Sequence, residues 1–419
     1  LHHLFASGDF LLQRRQFLVV NKGFYKGCGQ AAIKAKLSKG VQVDGSVIED
    51  CGGTLENGSA GLYGAILINS IGQMNVSNTI IRDAHHGAIN FGGNDGPPKS
   101  YPGGYGLGSV IASGNLIEGV DTPTAGYGNG ITVLGRVSDV RLIGNSIRGA
   151  ARYGVYADGT RPNGIKHVTS IGNYVADSAS TQYAYRFSYI NSVQVSGDEG
   201  FNFGGVIAAF ENCYSAKVDA STRYHDSGGA SCVLVVSTVK FTFDGAADNS
   251  FYDAWASSTA VVVGQRCSLS GNAYECTLAG TTAGSGGPTG TDPLVEVTDG
   301  TAKWAYIHKH RQNTNGITFS GTAPQIARIG AAADFSYVPT ATSGAPSNLK
   351  RANIASGTAT LAAGTVAVVI NAEADDDYKI NLSGSAAETF SWASKTTTGF
   401  TINSSNAAST ASVDWEVFR

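Results

Sequence analysis

Short runs of alternating apolar and polar residues recur along the first half of the chain, and four of them share one pattern. They are Val76–Ile80 (VSNTI), Ser113–Ile117 (SGNLI), Ile143–Ile147 (IGNSI) and Ile171–Val175 (IGNYV). Their asparagines stand at 78, 115, 145 and 173, in steps of 37, 30 and 28. A second apolar run follows each: Gly87–Phe91 (GAINF), Gly130–Leu134 (GITVL), Gly154–Asp158 (GVYAD) and Tyr183–Phe187 (YAYRF). Short strands repeated at a near-constant period predict a solenoid in which each repeat forms one coil. The unequal steps predict extra residues at coil corners, at Gly93–Gly108 and Glu118–Asn129.

Stacked coils lie about 4.8 Å apart, so equivalent residues sit over one another. Asparagines at one position can then hydrogen-bond along the stack, as they do in other stacked-strand structures. Asn is also common in turns, but four in one register favour a ladder. The same alignment predicts an inward column of Ala88, Ile131, Val155 and Ala184. Ile89, Thr132, Tyr156 and Tyr185 then point outward, as do Phe91, Leu134, Asp158 and Phe187. The next inward column reads Asn90, Val133, Ala157 and Arg186, and Arg186 is a poor interior residue.

The ends break the period. Residues 1–40 read as a cap over the solenoid's open end, and 41–250 as its coils. Residues 251–308 form a separate module. There Gly271-Asn272 suits a two-residue hairpin turn, which puts Cys267 opposite Cys276. At that spacing a disulfide is within reach, and two buried thiols are the alternative. Residues 309–354 are a linker or the last coils. Residues 355–419 read as a small antiparallel sandwich. The acidic run Glu373–Asp377 reads as a solvated loop.

Composition narrows the function. With 55 glycines, one methionine and 15% charged residues, the chain is all-β rather than helical. A formal net charge of −3 leaves no basic field for nucleic acid. No apolar run approaches the roughly 20 residues of a membrane helix. The six cysteines include no CxxC pair, so neither a metal site nor a cofactor is expected. The chain opens on Leu1-His2-His3 rather than on Met, and an upstream region is expected.

The coil motif over residues 40–200, Gly-Asn-x-Ile followed by Gly-Ile-x-Val, resembles phage tailspike depolymerases of the pectate-lyase-like class. Trp255, Tyr274 and the Asp-Gly-x-x-x-Trp ending at Trp304 resemble a small carbohydrate-binding module. Thr398–Asn403 (TGFTIN) and Val413-Asp-Trp415 resemble C-terminal domains of phage tail fibres. This resemblance implies a right-handed parallel β-helix with a small inserted β module and a C-terminal β-sandwich, residues 355–419, for trimerisation or receptor binding. It further implies a homotrimer on the virion tail, assembled in the host cytoplasm and joined to the tail or baseplate through the upstream region. The implied activity is binding and depolymerisation of a bacterial capsular or O-antigen polysaccharide, with no nucleic acid and no membrane insertion.

Glycoside hydrolysis needs two carboxyl groups across a sugar bond, and carboxylates on nearby rungs supply either hydrolytic spacing. The candidates are Asp158, Glu199, Glu118, Asp121 and, as an acid or base, His86. Each has a plainer reading. Glu118 shares a column with Arg148, which suits an ion pair. Asp121 lies in a corner beside Pro123, Asp158 precedes a glycine, and Asp198 occupies a ladder position beside Glu199. Tyr156, Tyr185, Tyr153, Arg161, Trp255 and Trp304 are the candidate sugar-binding residues. A polar column of His86, Asn129, Tyr153 and Gln182 marks an accessible edge. β-Elimination from a uronic acid is the second chemistry, using His85-His86, Tyr153, Arg152 and Arg161. A non-catalytic adhesin and a secreted pectin-type enzyme are the remaining readings, and hydrolysis is favoured over elimination.

Overall fold

The computed structural model describes residues 11–13, 17–29, 31–52, 64–93, 108–121, 128–135, 137–159, 164–250, 252–330, 333–335, 340–346, 349–351, 355–370, 379–384 and 388–418. The chain winds into a parallel β-helix whose coils have three faces. One central coil runs Val137–Ile143 on face 2, Ser146–Ala150 on face 3 and Val155–Asp158 on face 1. The long strands Ile33–Asp44 and Ile66–Ser77 pass from face 1 to face 2, so these faces share one 20-stranded sheet. Face 3 is a separate nine-stranded sheet. Leu18, Val43, Ile81, Val110, Phe187 and Phe243 belong to one continuous interior. Its lower half is an aromatic file, with Phe187–Phe210 at 5.6 Å, Phe210–Phe241 at 5.7 Å and Phe241–Phe319 at 5.9 Å.

Residues 17–26 differ from the expected cap. Phe17–Asn21 pairs in parallel with the strand reaching Asp44, and Phe24–Lys26 pairs with Val47–Glu49. They are a coil of the helix. At the other end the helix resumes after the module. Asn315–Ser320 pairs with Ser231–Val236 on face 1, and Ile326–Ile329 with Lys240–Phe243 on face 2.

The corner between faces 2 and 3 explains the repeated asparagines. Asn115 Nδ2 donates to Asn145 Oδ1 at 2.8 Å, and Asn145 Nδ2 donates to Asn173 Oδ1 at 2.8 Å. Asn173 Nδ2 donates in turn to Asp198 Oδ1 at 3.0 Å. Each amide also donates to a backbone carbonyl of the previous rung: Val76, Ala112 and Leu142. The residue before each rung turns in the left-handed region: Gly114 (φ 62), Gly144 (φ 60), Gly172 (φ 61) and Gly197 (φ 65). Asn78 is not a rung. It takes the turn position with φ 50, and Thr79 occupies the ladder, donating its N–H to Asn115 Oδ1 at 3.1 Å. The first segment of the aligned motif therefore moves by one residue.

The face 1 register also moves by one residue in two coils. Ile131 pairs with Ile89 and Val155, and Val155 pairs with Tyr185. The inward column is Ile89, Ile131, Val155 and Tyr185, and the outward column beside it is Asn90, Thr132, Tyr156 and Arg186. Arg186 thus leaves the interior, and Tyr185 enters it, fully buried. Asn129 pairs with Gly87 rather than His86, and Tyr153 shares its position with Tyr183 rather than Gln182.

The module occupies the corner between Ala246–Asp248 on face 3 and Asn315 on face 1. Its neck is closed by two asparagines: Asn249 Nδ2 donates to the Asn313 carbonyl at 3.0 Å, and Asn313 N–H donates to Asn249 Oδ1 at 3.1 Å. Val261, Tyr274, Ala302 and Trp304 form the module's own core. Its hairpin turns at Ser270-Gly271, φ 51 and 73, the two positive values of a type I′ turn. That is one residue earlier than expected, so Cys267 faces Tyr274 and Cys276 faces Trp304. All six cysteines are free thiols.

The C-terminal strands form two three-stranded antiparallel sheets. Leu361, Val368, Phe400, Ile402, Val413 and Val417 fill the space between them. The acidic run 373–377 lies outside the described residues. Among the described residues, no helix is long and apolar enough to cross a membrane, which says nothing of strands.

Candidate functional site

Corner length distinguishes the faces. From Gly45-Ser46 to Gly197-Asp198 every corner between faces 2 and 3 is two residues long. The corners bordering face 1 vary instead. Strands there are separated between Glu49 and Ile66, Gly93 and Gly108, Asp121 and Asn129, Asp158 and His167, and Asp248 and Asn315. Function gathers on variable loops carried by a rigid scaffold, which directs attention to face 1.

The outer side of face 1 carries a dense cluster of polar and aromatic groups. Arg186 Nε and Nη2 donate to Glu211 Oε2 at 2.9 and 2.7 Å, and Nη1 donates to the Tyr153 hydroxyl at 3.1 Å. The guanidinium lies over the rings of Tyr156, Tyr153 and Tyr183, 5.2–5.8 Å from their centroids. Tyr153 stacks on Tyr183 at 6.0 Å and packs against Tyr156 at 4.8 Å. The Tyr156 hydroxyl donates to Asp158 Oδ2 at 2.6 Å. Burial, reinforced by Asp158, raises the Tyr156 phenol well above its ordinary range, so it remains protonated. Burial also raises Tyr183, with Glu211 adding to it. Burial works against the Arg186 cation, but Glu211 outweighs it and keeps the guanidinium charged.

Asp158 and Glu211 share one outward column, with Ser188 between them. Two rungs separate their Cα atoms by roughly 9.6 Å. Tyr153 is 1% exposed, so it supports the cluster from beneath, while Tyr156, Asp158 and Tyr183 are partly open to solvent.

The other carboxylate candidates lie on face 3. Glu118 is in register with Arg148, as the sequence suggests, but its ion pair is with Arg82 at 3.0 Å. Arg82 also meets Glu49 at 3.6 Å, and Glu49 meets Lys26 at 3.4 Å, so Glu118 belongs to a file of alternating charge. Asp121 binds His85 Nδ1 at 2.9 Å, and His85 Nε2 meets Asp50 at 2.8 Å. His85 is therefore the histidine on this surface; His86 is 2% exposed and turns inward. Glu199 Oε1 lies 3.2 Å from His225 Nε2, on the outer side of face 3 and so on a different face from Asp158. Asp198 is the last ladder carboxylate, buried beside Ser170 and Asn173.

Three binding candidates move. Tyr185 lies inside the helix, its hydroxyl donating to the carbonyls of Asn173 and Glu199, each at 2.9 Å. Trp304, 1% exposed, is module core rather than surface. Trp255 is half-buried against that core, its indole N–H donating to Asp299 at 2.7 Å. Arg161 lies outside the described residues. Among the described residues, no group of His, Cys, Asp and Glu could hold a metal ion.

Arg186, Tyr183 and Glu211 are the cluster members that the sequence reading did not assign. The signal was present: a charged Arg186 in an inward column is itself a reason to slide that strand by one residue.

The C-terminal domain matches a known family. Residues 353–418 fit the model described as K1 capsule-specific polysaccharide lyase, C-terminal domain. No curated protein matches the chain. Among solved structures, the tailspike gp49 of Pseudomonas phage LKA1 is similar at 8% identity, with 95% of this chain and 67% of that one covered and a TM-score of 0.29. The tailspike gp61 of Pseudomonas phage phi297 is similar at 10% identity, with 92% and 67% covered and a TM-score of 0.31. The gp54 tailspike of Acinetobacter baumannii bacteriophage AP22, solved in complex with A. baumannii capsular saccharide, is similar at 9% identity, with 96% and 91% covered and a TM-score of 0.32.

Proposed function

We propose that this chain is a phage tailspike that binds and depolymerises a bacterial capsular or O-antigen polysaccharide on face 1. The match of residues 353–418 to a domain of a capsule-specific polysaccharide lyase carries the substrate class. The cluster around Arg186 supports the location. Tyrosine faces take the apolar side of a sugar ring, and the surrounding carboxylates and guanidinium take its hydroxyls.

Hydrolysis is the preferred chemistry. Asp158 and Glu211, two rungs apart, let their carboxyl groups reach the separation of roughly 6.5–9.5 Å used for inversion. Arg186 holds the Glu211 carboxylate in position through two hydrogen bonds to Oε2, as a base that activates water requires. Asp158 in its acid form, held by the Tyr156 hydroxyl at 2.6 Å, gives its proton to the glycosidic oxygen, while Tyr156 keeps its own. β-Elimination is the second reading, favoured by the lyase description of the matched family and by a protonated tyrosine beside an arginine. The reading carries with it a homotrimer on the virion tail, which light scattering would weigh.

Purified capsules and O-antigens from a strain panel, digested and followed by mass spectrometry, test the proposal. Asp158→Asn should lower fragment release by at least about a hundredfold without changing the folded mass. Undiminished release would remove Asp158. New reducing ends without an unsaturated product identify hydrolysis; an ultraviolet-absorbing unsaturated uronate identifies elimination.

A further inference from the structure

Face 3 holds a second cluster that the face 1 site leaves unused. Ser146, Tyr174, Glu199 and Arg223 occupy one outward column on successive rungs. Arg148 and His225 flank it from the neighbouring column. The Arg148 guanidinium lies over Tyr174 at 5.1 Å and pairs with Asp177 at 3.4 Å. Arg223 pairs with Asp248 at 3.0 Å, and His225 with Glu199 at 3.2 Å. The heads of this group remain open: the side chains of Arg148, Arg223 and Glu199 are 53%, 54% and 47% exposed.

The inserted module forms a wall beside this column. Its His308 meets Phe201 edge-on at 5.0 Å and the Tyr252 hydroxyl at 2.8 Å. Arg311 Nε donates to Asn202 Oδ1 at 3.0 Å, and Asn202 Nδ2 donates to Asp177 Oδ1 at 3.1 Å. The module is thus fastened to face 3 along the same two rungs as Tyr174 and Glu199. Junctions between structural units are favoured places for ligand sites.

We propose that Tyr174, Glu199 and Arg223 form a second saccharide site that holds an uncharged pyranose segment. The proposal rests on the polysaccharide reading above for its ligand class. A pyranose ring spans about one rung, roughly 4.8 Å, so a ring against Tyr174 brings its far hydroxyls to Glu199, and the next ring of the segment meets Arg223, two rungs from Tyr174. A hydroxyl pair both donates and accepts, which suits a carboxylate beside a guanidinium. Arg148 and Arg223 are balanced by Asp177 and Asp248, and Glu199 adds a further carboxylate beside His225, so the surface gives no preference to an anionic sugar. Tyr274 and Trp304 lie in the module's core, and the module's part in this site is to close one side.

The whole chain carrying Asp158→Asn, to remove turnover at face 1, is applied to an array of bacterial capsular and O-antigen oligosaccharides. It should retain binding to uncharged glycans. Adding Tyr174→Ala should weaken that binding roughly tenfold, the factor of about 1.4 kcal/mol that one stacked ring supplies. Tyr174→Phe should restore it, and Glu199→Gln should weaken it without changing the melting curve. Retained binding in both Tyr174→Ala and Glu199→Gln overturns the site while leaving face 1 untouched. Failure of the parent chain to bind any glycan, with fragment release by the wild type intact, also overturns only the second site. Failure of both binding and release overturns the polysaccharide reading itself.

Discussion

At the scale of single residues, the ladder ends on a charge that its position penalises. Asp198 stands where an asparagine stands in the three rungs above, and burial pushes its carboxyl up to about 6. In the unfolded chain the same group titrates near 3.9. Between these values the folded chain binds the proton more tightly, so this site's contribution to stability falls as the pH rises from about 4 to about 6. Above that range the cost is constant. An asparagine would keep the acceptor used by Asn173 and turn its amide toward Ser170 Oγ. Asp198→Asn should therefore be more stable than wild type near pH 8, by up to roughly 3 kcal/mol, and equal to it near pH 4. Urea unfolding at the two pH values measures both ends. The ladder was legible because Asn is costly to bury unpaired, so its recurrence points to a partner one rung away. Tyr185 was not legible, because a tyrosine inside and a tyrosine outside look alike until a neighbour such as Arg186 fixes the phase.

At the scale of elements, face 3 is held on its outer side by charges that cross rungs. His85 reaches up to Asp50 and down to Asp121, linking three successive strands. The bond to Asp50 and then that to Asp121 outweigh burial and raise the imidazole above its ordinary range. A raised histidine contributes its stabilisation fully below the ordinary value near 6.5 and loses it as the pH climbs through the raised one. His85→Ala should cost less than about 1 kcal/mol, because the group is partly solvated, and the gap to wild type should close in alkali. Thermal melts from weakly acidic to alkaline buffer would reveal a gap that narrows; a constant gap would mean that lost packing, not charge, is responsible. A further regularity of this face was missed. Asp50, Asp83, Gly119, Gly149, Asp177, Asn202 and Asp226 all turn in the left-handed region, with φ between 49 and 68. Only Asp, Asn and Gly adopt that conformation readily, so this column is written in the sequence as plainly as the ladder. It goes unnoticed because Asp and Gly are also ordinary corner residues. Strands themselves were easy to find, whereas their phase was not: a one-residue slip leaves an apolar run unchanged and reverses what it faces.

At the scale of the whole molecule, three separate apolar cores correspond to the helix, the module and the C-terminal sandwich. Elements with separate cores need not unfold together. Calorimetry should resolve more than one transition, and removing residues 355–419 should delete the sandwich's transition while leaving that of the helix. A single sharp transition in the whole chain would mean that the units are thermodynamically fused. The sequence announced these units by breaks in periodicity and by changes in composition. It misjudged the inside of the smallest one, because Trp304 was read as a sugar-binding residue and Tyr274 as part of a carbohydrate-binding pattern. In so small a unit these residues are the hydrophobic material available, and a core claims them first.

The asparagine pair at the neck of the module has an engineering consequence. Asn249 and Asn313 hold the outgoing and returning strands together by two hydrogen bonds from the Asn249 side chain to the Asn313 backbone, before any residue of the module is reached. The scaffold therefore sees a closed loop of fixed entry and exit, whatever lies beyond it. Such a junction is a socket: foreign domains with neighbouring termini could be spliced between these two asparagines, turning the stalk into an exchangeable handle for displaying cargo.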